Sequence, residues 1–92
     1  MHNTATTSRE HYKTYDASGL HALIKAKMRE NADRDWCIAD MAEATNIDKS
    51  TISARMNELR EYGELEYNGK KPSETTGIVS NHYKLIAQPS LL

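Results

Sequence analysis

The chain of 92 residues has one cysteine, Cys37, so no disulfide can close within it, and a cytoplasmic location is the expectation. No apolar run approaches the roughly 20 residues that a bilayer-spanning helix needs, which leaves no membrane partner to expect. No charged-then-apolar leader, internal repeat or low-complexity block is legible either. Net charge is also scarce. Twelve basic side chains against 13 acidic ones leave -1, whereas nucleic-acid-binding domains usually carry a basic excess. The distribution is less even than the total. Residues 1–48 hold six basic and eight acidic side chains, and residues 49–86 hold six basic and five acidic.

Signatures of chemistry are missing as well. His2, His11, His21 and His82, with Cys37, stand at no metal-ligand spacing. Nothing reads as a nucleophile elbow, a phosphate-cradling glycine loop or a paired-carboxylate site. The expectation is a binding protein rather than an enzyme, with no catalytic residue, metal or cofactor. Cys37, between Trp36 and Ile38, reads as a small packed hydrophobe. His82 is opposite in strand parity to Tyr83 and reads as a surface histidine.

What is present suits one small domain. Residues 1–15 are polar and aperiodic and read as an arm, in which Arg9, Tyr12, Lys13 and Tyr15 are able to touch a partner. The fold is expected over 16–86, with a short tail at 87–92. Asp16 or Ser18 caps a helix over about 17–30, with a stripe of Leu20, Leu23, Ile24, Lys27 and Met28. Trp36–Ile38 reads as a stub of strand. A short helix follows from Ile38 or Ala39 to Thr45, then a turn at 46–48. A third helix runs from Asp48 or Lys49 to about Tyr62, where Gly63 supplies a left-handed stop. Two strand candidates remain, 64–67 and 79–86. In them Leu65, Tyr67, Val79, Tyr83 and Leu85 alternate at period two and define an expected core face. Asn68-Gly69 is itself a tight-hairpin signal, but Pro72 would end such a hairpin early. One longer hairpin with its tip near 71–77 is the reading.

The second and third helices meet the demands of a helix-turn-helix. Four positions after Ile38, where the helices touch, stands the small Ala42. Eight positions after it the turn needs a left-handed residue, and Asn46 is the best substitute for glycine there. Ile38, Met41, Ile47, Ile52 and Met56 supply the inner face, and Leu59 extends it. Two amphipathic helices of an ordinary bundle would share the apolar stripe, but not Ala42 and Asn46 at these offsets. The fold class expected is α+β, mainly α: a winged helix-turn-helix of three helices and a two- or three-stranded antiparallel wing.

Lys49, Ser50, Ser53, Ala54, Asn57 and Arg60 then face outward from the third helix, with no acid from 49 to 57. Serine and asparagine hydrogen-bond base edges, and Lys49 reaches a phosphate or a guanine. Lys70 and Lys71 lie between the strands, where a wing follows the sugar–phosphate backbone. The bland reading of the same residues is a solvated helix face and loop.

The stretch from Ala39 to Ile86 resembles the winged helix-turn-helix domains of small bacterial and bacteriophage regulators, of MarR-like type. DKSTISARMNELREYGELEY is similar to their recognition helix and first wing strand, and TTGIVSNHYKL to the return strand. Ile78 stands where an arginine is common after the Thr-Gly pair, so that contact is not carried over. The resemblance implies a double-stranded DNA-binding transcriptional regulator. MarR-type dimers use extra terminal helices, and room for a full set of them is not expected in this chain. A homodimer would have to use the first helix and the arm. The competing function is a winged-helix module that meets a protein through the third helix or through Tyr62 and Tyr67.

Overall fold

The computed structural model describes residues 16–86; the arm expected at 1–15 and the tail at 87–92 lie outside the described residues. Helix α1 (Ala17–Glu30) is followed by α2 (Ile38–Thr45) and α3 (Lys49–Glu61), then by strands β1 (Leu65–Pro72) and β2 (Val79–Leu85). The result is a small α+β domain of three helices and a two-stranded antiparallel sheet.

Most of the helix ends have a local reason; the start of α2, at Cys37, has no side-chain cap. Asp16 caps α1, its Oδ1 accepting the Gly19 amide at 2.8 Å, and Lys27 and Arg29 sit in the last turn, where cations suit the dipole. Asn46 ends α2 at φ 59° and ψ 35°, the left-handed conformation expected of it, with its amide bonded to the Ala42 carbonyl. That single left-handed residue turns the chain sharply enough for Asp48 to cap α3 two residues later, through the Thr51 amide at 3.2 Å. Gly63, at φ 79°, closes α3. The Gly63 amide bonds to Arg60 and the Glu64 amide to Leu59, the paired pattern that satisfies the last carbonyls of a helix.

The apolar stripes converge. Leu20, Ile24 and Met28 of α1 meet Met41 of α2, Ile47 of the turn and Ile52, Met56 and Leu59 of α3; Trp36, Leu65 and Tyr83 complete the core. Ile38 and Ala42 are partly buried against it. Burial of each large side chain contributes about 1.5–3 kcal/mol, so this core is the main source of stability in so short a chain.

The sheet pairs Leu65 with Leu85, Tyr67 with Tyr83, Lys70 with Asn81 and Pro72 with Val79. Between Tyr67 and Lys70 one extra residue is taken up in a bulge, with Gly69 at φ 99°. Asn68-Gly69 therefore bends the strand instead of reversing it, and β1 runs on to Pro72, beyond the expected end at Tyr67. The reversal falls at residues 73–78, where the Ser73 amide bonds to Ile78 and the Gly77 amide to Ser73. The strand stub expected at 36–38 survives as a single bridge at Trp36, since Ile38 already begins α2. Trp36 and Tyr83 exchange two backbone hydrogen bonds of 2.8 Å, on the side of β2 away from β1.

Two sequence expectations need correction. Tyr67 and Val79 are 52% and 60% exposed, not core. Of the hairpin's apolar side chains only those at its root (Leu65, Tyr83 and the half-buried Leu85) join or pack on the core of the helices, and those farther along are left exposed. His82 is 4% exposed, not a surface residue. Pairing of Trp36 along β2 brings Cys37 and the first turn of α2 against the face that His82 occupies.

Candidate nucleic-acid interface

Of the outward positions on α3, Lys49, Ser50, Ala54, Asn57 and Arg60 are exposed and Ser53 is half-buried. Their spacing of three and four residues puts them on one side of the helix. Not all are equally available. Ser50 donates its hydroxyl to Asp48 Oδ2 at 2.7 Å, reinforcing the cap. Hydrogen bonds from Ser50 and Thr51 hold the Asp48 carboxyl down at about 2. Asn57 accepts a 3.3 Å bond from Arg60, whose guanidinium also lies 4.9 Å from the Tyr83 ring centroid. Lys49 enters no ion pair among the described residues.

Of the acids beside this face, Asp48 is taken up in the cap and Glu58 reaches toward α1, while Glu61 is exposed next to Arg60. Glu58 accepts from His21 Nε2 of α1 and from Arg55, both at 2.8 Å. The His21 bond is the largest reason that its carboxyl sits below the ordinary range. Glu58 thus neutralises Arg55 and ties α1 to α3, while the outward face keeps its cations.

The two hairpin lysines differ. Lys70 is exposed and has no ionic partner among the described residues. Lys71 pairs with Asp35, which also accepts from Asn68 Nδ2 at 2.9 Å. The structure therefore leaves Lys70 open and engages Lys71.

Asp40 is the residue that sequence reasoning passed over. It lies in α2, is 4% exposed, and gathers the hairpin tip around its carboxylate. Oδ1 accepts from Ser73 Oγ at 2.7 Å and the Thr75 amide at 3.0 Å. Oδ2 accepts from Arg34 at 3.2 Å and the Glu74 amide at 3.3 Å. Burial pushes the carboxyl up, but the bonds from Ser73, Thr75 and Glu74 together outweigh it and bring it down to about 2. Ser73 Oγ in turn accepts from the amides of Thr75 and Thr76, and Arg34 stacks 3.8 Å over Trp36 while pairing with Glu74. The tip is thereby fastened to α2. No local pattern marks Asp40, because its hairpin partners lie more than 30 residues along the chain.

Beside it, Cys37 Sγ, an Asp40 oxygen and a His82 ring nitrogen lie within 4.8 Å of one another, all buried. His82 Nδ1 donates to the Ser80 carbonyl at 2.9 Å, and Nε2 is 3.8 Å from Asp40 Oδ2. Comparison with known protein families, with curated proteins and with solved structures gives no match to this chain.

Proposed function

We propose that the chain is a winged helix-turn-helix protein that binds double-stranded DNA, a small transcriptional regulator of the bacterial or phage type. On this reading α3 enters the major groove and the β1–β2 hairpin is the wing. The observation that carries it is the outward face of α3. Lys49, Ser53, Asn57 and Arg60 are presented together, and two of the acids beside them are already bound, Asp48 to Ser50 and Thr51 and Glu58 to His21 and Arg55. The short polar side chains suit base edges and the cations suit phosphates. The anchored hairpin supports the same reading, because a tip held by Asp40 meets the DNA backbone without first losing conformational freedom.

The test is fluorescence anisotropy on random-sequence duplex DNA across a salt series. Binding should weaken steeply with salt, and Lys70→Ala should lower the log–log slope by about 1. Substitution of Ser53 or Asn57 should instead change preference among selected sites. Equal loss on every sequence from all of these substitutions would sink the readout assignment.

A second reading has its own observation. Tyr62, Tyr67, Ile78 and Val79 are all more than half exposed, an apolar supply that suits a protein partner better than DNA. Absence of DNA binding even at low salt favours that alternative.

A further inference from the structure

We propose that Cys37, Asp40 and His82 form a binding site for a divalent transition-metal ion, zinc above all, at the root of the hairpin. The inference is independent of the DNA-binding reading. The donor set is one sulfur, one imidazole nitrogen and one carboxylate oxygen, gathered within 4.8 Å and buried. Magnesium and calcium seek oxygen ligands, whereas zinc takes this mixed set. Four ligands about 2.1 Å from a tetrahedral ion stand about 3.4 Å apart, so the 3.8 Å between His82 Nε2 and Asp40 Oδ2 needs only a small contraction.

The histidine is prepared for the role. Its Nδ1–H is given to the Ser80 carbonyl, the outer partner that metal-bound imidazoles usually have. In the neutral ring this leaves Nε2 as an acceptor, 3.8 Å from an Asp40 oxygen and with no hydrogen-bond donor on it among the described residues. A cation between the two would be ligated by both.

Asp40 can spare the oxygen concerned. The two bonds to Oδ1 are 2.7 and 3.0 Å, while those to Oδ2 are 3.2 and 3.3 Å. If Oδ2 turned to an ion, the hairpin tip would stay bound through Oδ1, and Arg34 would keep Glu74 and the Trp36 ring. With Arg34 left to Glu74, the Cys37 thiolate and the Asp40 carboxylate balance a double positive charge, and the thiol proton leaves to solvent on binding. Of the three ligands, Asp40 also lines a surface depression, with Arg34, Trp36, Glu43, Glu74 and Thr75.

Cobalt(II) titration of the chelator-stripped protein tests the site, because Cys37 is the sole cysteine and makes its own reporter. One equivalent of cobalt should give the intense visible bands of a tetrahedral ion together with a thiolate-to-metal charge-transfer band. Zinc should abolish both, and at a hundredfold excess over its Kd should raise Tm by at least about 5 °C. Cys37→Ser should remove the charge-transfer band, while His21→Gln should leave it. Cobalt bound without that band would mean that other histidines hold it and would overturn the proposal. So would a zinc-insensitive Tm, the result expected if His82 merely pairs with Asp40 as an imidazolium. If Cys37→Ser does not fold, the spectrum of the unaltered chain still decides.

Discussion

At the scale of single residues, Asp40 is the buried acid whose charge matters to the fold. Its carboxyl falls from 3.8 to about 2 on folding. A depressed acid stabilises the fold above its unfolded value and loses that contribution as pH falls through the folded one. The window is therefore about pH 4 down to pH 2, and the contribution is about 2 kcal/mol when complete. Asp48, also brought down to about 2, titrates in the same window from a more exposed position. Urea unfolding should show stability declining across this range. Asp40→Asn should cost about 2 kcal/mol at pH 7 and much less at pH 2, flattening the profile. Emission of Trp36, the one tryptophan and 3% exposed, is the natural probe. Parallel profiles for the two proteins would place the acid response elsewhere.

At the scale of elements, the turn between α2 and α3 rests on backbone conformation. Asn46 at φ 59° occupies a region that glycine enters freely and β-branched residues enter at a penalty. Asn46→Gly should change stability by less than about 0.5 kcal/mol and Asn46→Val should cost about 1–2 kcal/mol, both read by thermal melting. Gly63→Ala should cost about 1 kcal/mol. Nothing lies within 4 Å of the added methyl, so the cost there is backbone strain and not a clash.

The same contrast explains what could be read from the sequence. Asp16, Asp48, Asn46 and Gly63 act on amides and carbonyls within a turn of themselves, so the three helices were legible almost to the residue. The hairpin was legible in outline only. Whether Asn68-Gly69 reverses the strand or bulges it depends on pairing with β2, and whether His82 is covered depends on Trp36, both distant in sequence. For the candidate interface, helical spacing sufficed to name the α3 face. It could not distinguish Lys70 from Lys71, because Asp35 reaches Lys71 only through the fold.

At the scale of the whole molecule, a net charge of -1 gives no broad field to draw in a polyanion. On the proposed function, affinity must come from a few well-placed cations, and the charges beside them matter correspondingly more. Asp35→Ala would free Lys71 and Asn68 and remove a negative charge next to the hairpin. Affinity for random-sequence duplex should rise roughly three- to tenfold at low salt, with the gain shrinking as salt increases. Unchanged affinity would show that the hairpin lies away from the phosphates.

The bulge at Asn68 and Gly69 bears on self-association as well. The outer side of β1 is unpaired among the described residues, and an open strand edge invites another chain to add to it. Here the bulge interrupts the regular run of amides and carbonyls, and Pro72 has no amide hydrogen to give. The opposite side of β2 is occupied at Tyr83 by Trp36. Native molecules crowded together are therefore poor templates for one another's strands, and fibrillar growth would have to begin from unfolded chains.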